Sequence, residues 1–80
     1  MNSLKKQKVH EIISSKTSIK EDEILPEHNF EKDLKVDSLT FVEVVVKIEE
    51  YLGIKLRDED LASIETVKQL DDLIFNTIKN

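Results

Sequence analysis

The stretch Ser38–Leu52 constrains the fold more than any other part of this chain. Phe41, Val44, Val45, Ile48 and Leu52 fall at i, i+3, i+4, i+7 and i+11, a single stripe on a helix. Four valines within positions 42–46 pull toward a strand, because branched β-carbons suit a pleated sheet. The polar residues decide against the strand. Thr40, Glu43, Lys47 and Glu50 also recur at helical spacing, on the other side, while Val42 and Val46 flank the stripe. Asp37 or Ser38 caps the start, and Gly53 suits the C-terminal stop. With one glycine, one proline and four aromatics in 80 residues, the rest of the chain also favours helices over sheet.

Three further helices follow from the same reasoning. The first is expected over about Ser3–Ser15, with Leu4, Val9, Ile12 and Ile13 mostly at helical spacing and Ser3 as N-cap. It ends in Ser14-Ser15-Lys16-Thr17-Ser18, residues whose side chains compete for backbone hydrogen bonds. A loop from about Lys16 to Val36 comes next, interrupted by Pro26. Loops of such length inside a compact unit are usually functional. Ile19, Ile24, Leu25, Phe30 and Leu34 are its expected anchors to the core. A short third helix is expected at Asp58 to Ala62 or Ser63, with Asp58 as N-cap and three acids at the positive end of the helix dipole. The fourth runs from about Thr66 to Lys79. Thr66-x-x-Gln69 makes a capping box, and Val67, Leu70, Ile74 and Ile78 make the buried stripe, with Leu73 and Phe75 beside it. The expected architecture is all-α: one domain over residues 1–80, a small four-helix bundle with a long loop between helices 1 and 2 and a short third helix.

Composition excludes several function classes. There is no cysteine, so no disulfide or thiolate metal site, and any thiol must come from a prosthetic group. No apolar run is long enough to span a membrane, and the N-terminal lysines precede no apolar leader segment, so a cytoplasmic monomer is expected without membrane insertion. The net charge of −5 is unevenly placed: residues 1–20 carry +4, residues 21–36 carry −4, residues 37–60 carry −4 and residues 61–80 carry −1. An acidic body disfavours nucleic acid and favours partners with basic patches, met quickly through electrostatic steering. Acidic surface also keeps a small protein soluble with no further role.

Ser38, at the start of the long helix, is the candidate site. A helix N-terminus has free N–H groups and a dipole that stabilise an anion such as a phosphodiester. Were Ser38 to carry a phosphodiester, Asp37, just before it, would be placed to help hold a divalent cation during the transfer. Taken alone, Asp37-Ser38-Leu39 is equally an ordinary capping pair before an apolar run. The wider string Phe30-Glu31-Lys32-Asp33-Leu34-Lys35-Val36-Asp37-Ser38-Leu39 resembles the attachment site of acyl carrier proteins, and the resemblance extends from about Val9 to Ile78. It implies that the chain is not an enzyme. It implies that a phosphopantetheinyl transferase moves 4′-phosphopantetheine from coenzyme A to Ser38, with magnesium, and that the arm's thiol holds an acyl group as a thioester. It implies recognition by acyl-transferring and synthase enzymes through Leu39, Glu43, Val46, Glu49 and Glu50. It also implies that an acyl chain can fold back among the helices, with Val42, Val45, Leu61 and Ile64 as candidate lining residues.

Four positions depart from the family pattern. Lys35 stands where the family usually has glycine, which matters if the position needs a positive φ. Thr40 replaces a common acid, Lys47 adds a positive charge to the recognition helix, and Leu56-Arg57 occupies the place where proline often precedes the third helix. They leave open a carrier of fatty acid synthesis or a dedicated carrier of polyketide, aminoacyl or hydroxyacyl cargo. An unmodified acidic docking module is the remaining alternative. His10 and His28 are isolated in sequence, and Asp58-Glu59-Asp60 lacks the spacing and central glycine of a calcium loop, so no resident metal is expected.

Overall fold

The computed structural model describes the backbone of residues 3–79 and the side chains of residues 6–79. The expected N-cap at Ser3 and the place of Leu4 in the first stripe lie outside the described side chains. Four α-helices follow in chain order: α1 (Ser3–Ser15), α2 (Ser38–Leu52), α3 (Asp58–Leu61) and α4 (Val67–Lys79). A 3-10 turn at Glu21–Glu23 lies within the long first connection.

Each main helix buries its expected stripe. Val9 and Ile13 of α1, Val44, Val45 and Ile48 of α2, and Val67, Leu70 and Ile74 of α4 form one core, with Ile12, Phe41, Leu52, Leu73 and Ile78 half-buried around it. The valine-rich segment is helical because only a helix puts Val44, Val45 and Ile48 on the core together while Glu43, Lys47 and Glu50 face water. Its end follows the expected chemistry. Gly53 adopts φ 66°, ψ 36°, and the N–H groups of Gly53 and Ile54 both donate to the Glu49 carbonyl.

The long connection is ordered by hydrogen bonds that sequence periodicity does not reveal. The Asn29 side chain accepts from the N–H groups of Glu31 and Lys32, Asp33 accepts from the Asn29 N–H, and the Asn29 carbonyl accepts from Asp33 and Leu34. Asp33, part of the attachment string, therefore builds the loop. Farther along, the loop finishes α4. Val67 N–H donates to the His28 carbonyl, Lys68 N–H to the Pro26 carbonyl, and Phe30 N–H to the Glu65 carbonyl. The first two satisfy donors that the start of α4 leaves open, and the third ties the loop to the residues before it. The Thr66–Gln69 capping box completes the cap: Gln69 N–H donates to Thr66 Oγ1 at 3.2 Å, and Gln69 Oε1 accepts from Thr66 N–H at 3.0 Å.

Two expectations need correction. Leu25 is not a core anchor; it is 44% exposed. Ile24 is extended and buried, so the next side chain points the other way, into a turn held by Leu25 N–H to His28 Nδ1 and His28 N–H to the Leu25 carbonyl. Val36 supplies the unexpected anchor instead, being buried just before α2. In α3 the N-cap is Arg57, not Asp58, and no side chain caps it. Asp58 is already helical, and the helix ends at Leu61, with Ala62 as its C-cap.

His10 of α1 meets Asp71 of α4, with Nε2 to Oδ2 at 2.8 Å in a largely buried contact. The second oxygen of Asp71 has no partner among the described residues. The contact joins α1 to α4, where leaving the carboxyl wholly unpaired would be costly.

Lys35 carries φ 57°, so the position does require the left-handed region. A side chain there costs roughly 1–2 kcal/mol, which glycine avoids. Lys35→Gly is expected to raise stability by up to about 1 kcal/mol, the relieved strain being partly offset by the freer unfolded chain. Urea denaturation checks this; a lower midpoint would show that the lysine side chain contributes more than its backbone costs.

Candidate functional site

The end of the loop delivers Ser38 to the first helical position of α2. Val36 is buried, its N–H donating to the Phe30 carbonyl at 2.7 Å, which pins the chain immediately before the helix. Asp37 is then the N-cap: its Oδ1 accepts the Thr40 N–H at 2.8 Å, and its carbonyl accepts from Phe41. Of the two candidate caps, the structure selects Asp37 and leaves Ser38 exposed, its hydroxyl without a hydrogen bond among the described residues. The N–H groups of Ser38 and Leu39 also meet no acceptor among those residues. An exposed hydroxyl beside two open donors at a helix start fits a phosphodiester.

The hydrogen bond from the Thr40 N–H, with a smaller contribution from the Thr40 side chain, holds the Asp37 carboxyl below its ordinary value of 3.8. The cap therefore stabilises the fold fully above pH about 3.8 and loses that effect as pH falls through the depressed folded value. Asp37→Ala is expected to lower stability at neutral pH and to flatten the acid limb of the stability profile below pH about 4. Thermal melts from pH 2 to 7 check it; parallel parent and variant curves would refute the assignment.

Helix α2 presents three faces from one periodic sequence. Val44 and Ile48 enter the core. Leu39, Glu43, Val46 and Glu50 form an exposed stripe at i, i+4, i+7 and i+11. Leu39 is 70% exposed and Val46 is 44% exposed, unusual for large apolar side chains unless something covers them. Lys47 is exposed between Glu43 and Glu50 and weakens their field.

Ser38, Val42, Val45 and Glu49 form the third face, which borders a cavity of about 630 Å³ between α2, the preceding loop and residues 55–65. All four candidate lining residues, Val42, Val45, Leu61 and Ile64, meet there, and the attachment candidates Asp37 and Ser38 lie at its rim. Sequence reasoning missed Phe41, Val36 and Leu56 in its wall; the spacing of Phe41, three residues after Ser38, was the available signal. Glu49 differs from Glu43 and Glu50 in its surroundings. It is half-buried on the cavity side, and its Oε2 accepts the Leu56 N–H at 2.8 Å, so it ties α2 to the next loop rather than offering a free carboxylate with Glu43 and Glu50.

A family model described as the phosphopantetheine attachment site matches residues 7–74. The acyl carrier protein of Chlorobium phaeobacteroides is 42% identical over 69 residues, covering 86% of this chain and 88% of that protein. The chain belongs to the acyl carrier protein family. The meromycolate extension acyl carrier protein of Mycobacterium tuberculosis is 48% identical over 59 residues, 74% of this chain and 51% of that one. The solved structure of the thermally stable acyl carrier protein from Enterococcus faecalis superposes with a TM-score of 0.78 at 36% identity, covering 91% of this chain and 92% of that chain. As a member of that family the chain is an acyl carrier whose prosthetic group is a covalently attached phosphopantetheine. Its family works with synthase and transferase enzymes. No helix among the described residues is long and apolar enough to cross a membrane.

Proposed function

We propose that Ser38 is the attachment point and that residues 1–80 act as one carrier unit. The observation that carries this reading is the exposed Ser38 hydroxyl at the first position of α2, beside two open N–H groups and the rim of an apolar cavity. The prosthetic group bound there supplies a terminal thiol that holds an acyl cargo as a thioester. The chain's own residues supply position. Asp37 fixes the helix start through Oδ1, and its ionised carboxylate is placed to help a transferase hold magnesium during loading. The open N–H groups of Ser38 and Leu39 would offer donors to the phosphodiester. Leu39 and Val46 give the transferase and later acyl-handling enzymes an apolar foothold, flanked by Glu43 and Glu50 for basic grooves. Such contacts are weak and salt-sensitive, which suits a carrier that leaves each partner in turn.

Intact mass after incubation with coenzyme A, magnesium and a broad-specificity transferase tests the reading. One added phosphopantetheine, located at Ser38 by fragmentation, is the expected result. Addition at another residue, or none to folded protein with several transferases, would overturn it.

A further inference from the structure

We propose that Phe41 sets how deeply an acyl cargo enters the groove between α2 and α3, so that this carrier shields short and medium apolar chains and leaves the ends of long ones outside. The inference rests on the reading of Ser38 as attachment point. Phe41 lies one helical turn below Ser38 on the same side of α2. It packs against the core on one side and lines the cavity on the other, which makes its ring the partition between the two. The ring is braced by a second aromatic of the cavity wall. Phe30 meets it edge to face, with centroids 5.1 Å apart and planes at 68°. Phe30 has little freedom to yield: it is 5% exposed, its N–H donates to Glu65 and its carbonyl accepts from Val36.

The cavity volume of about 630 Å³ lies within the roughly 300–1,000 Å³ of small-molecule sites. Its aliphatic walls, including Val42, Val45, Leu61 and Ile64, suit an acyl chain. A chain entering from Ser38 and pointing toward the core meets the Phe41 ring and must turn along the groove. Exposed charged residues, among them Lys55, Asp58 and Glu65, also line the cavity. Carbons beyond the apolar walls gain nothing among those charges. Shortening the side chain at position 41 removes the partition and lets a longer chain continue inward.

The test loads the parent, Phe41→Leu and Phe41→Ala with butanoyl-, octanoyl- and hexadecanoyl-phosphopantetheine from the corresponding coenzyme A thioesters, each verified by mass. Tm relative to the unacylated holo form of the same variant, and the rate of thioester cleavage by hydroxylamine, are the readouts. In the parent, Tm is expected to rise from butanoyl to octanoyl and then level off. In the variants, hexadecanoyl is expected to add a further 4–8 °C, roughly the shift of one significant interaction in a chain this size, and to slow cleavage severalfold. The same chain-length profile in all three proteins would overturn the role of Phe41, and the leucine variant keeps the test decisive if the alanine variant fails to fold. Failure of the folded parent to load at all would instead overturn the attachment reading beneath it.

Discussion

Replacing Ser38 with alanine is expected to abolish phosphopantetheine loading while leaving the fold intact. The hydroxyl oxygen is the proposed acceptor of the phosphoryl group, and the neighbouring Thr40 hydroxyl is engaged with the Asp37 carboxyl. Ser14, Ser15 and Ser63 donate their hydroxyls to the carbonyls of Ile19, Ile12 and Asp60. Read from sequence, Ser38 shares the capping role with Asp37, and its loss would carry a cap's cost. The structure gives the cap to Asp37 alone. Ser38 is exposed, and alanine is a good helix former, so the change in stability should stay within about 0.5 kcal/mol. Intact mass reads the first effect and urea denaturation the second. A loaded Ser38→Ala variant would move the attachment point elsewhere, and an unfolded one would show that the serine supports the loop in a way its exposed hydroxyl does not suggest.

Ile48→Ala should produce the largest loss of stability. Ile48 is fully buried in α2. Truncating such a side chain removes its transfer free energy and leaves a cavity, together about 2–5 kcal/mol. In a chain of this size each kcal/mol lowers Tm by about 4–8 °C, and a typical total stability is only about 5–15 kcal/mol. Val46→Ala, two residues earlier on the exposed stripe, should change stability by no more than about 0.5 kcal/mol. The pair separates the core face of α2 from the face proposed for docking. A similar cost for both substitutions, measured by urea denaturation, would mean that the faces are not distinct.

What sequence could foretell here was governed by the range of the interactions. The stripe of α2, its glycine stop and the Thr66–Gln69 box depend on neighbours within a few turns, and they formed as expected. The attachment string was legible because several residue types had to coincide at fixed spacing. The inward turn of Glu49 was not legible because it is decided by the N–H of Leu56, seven residues away and outside α2. Leu25 was misplaced because apolar character does not say which way an extended chain points before a turn. The His10–Asp71 contact spans 61 residues, and neither residue signals it alone. Lys35 is the instructive middle case. Its oddity was visible in sequence, but only its φ of 57° shows that the backbone there carries strain.

The tie between the long loop and α4 has a consequence for the order in which the molecule becomes native. Pro26, His28 and Phe30 reach their hydrogen-bond partners only when Glu65, Val67 and Lys68 exist, almost half the chain later. A chain growing from its N-terminus therefore has its serine long before the frame in front of it can close. Contacts across such separations also slow folding, since the intervening chain must be ordered first. In the mature molecule the same tie is expected to make the amides of Phe30, Val67 and Lys68 exchange together. A transferase that requires the closed loop would thereby load only chains whose synthesis and folding are finished.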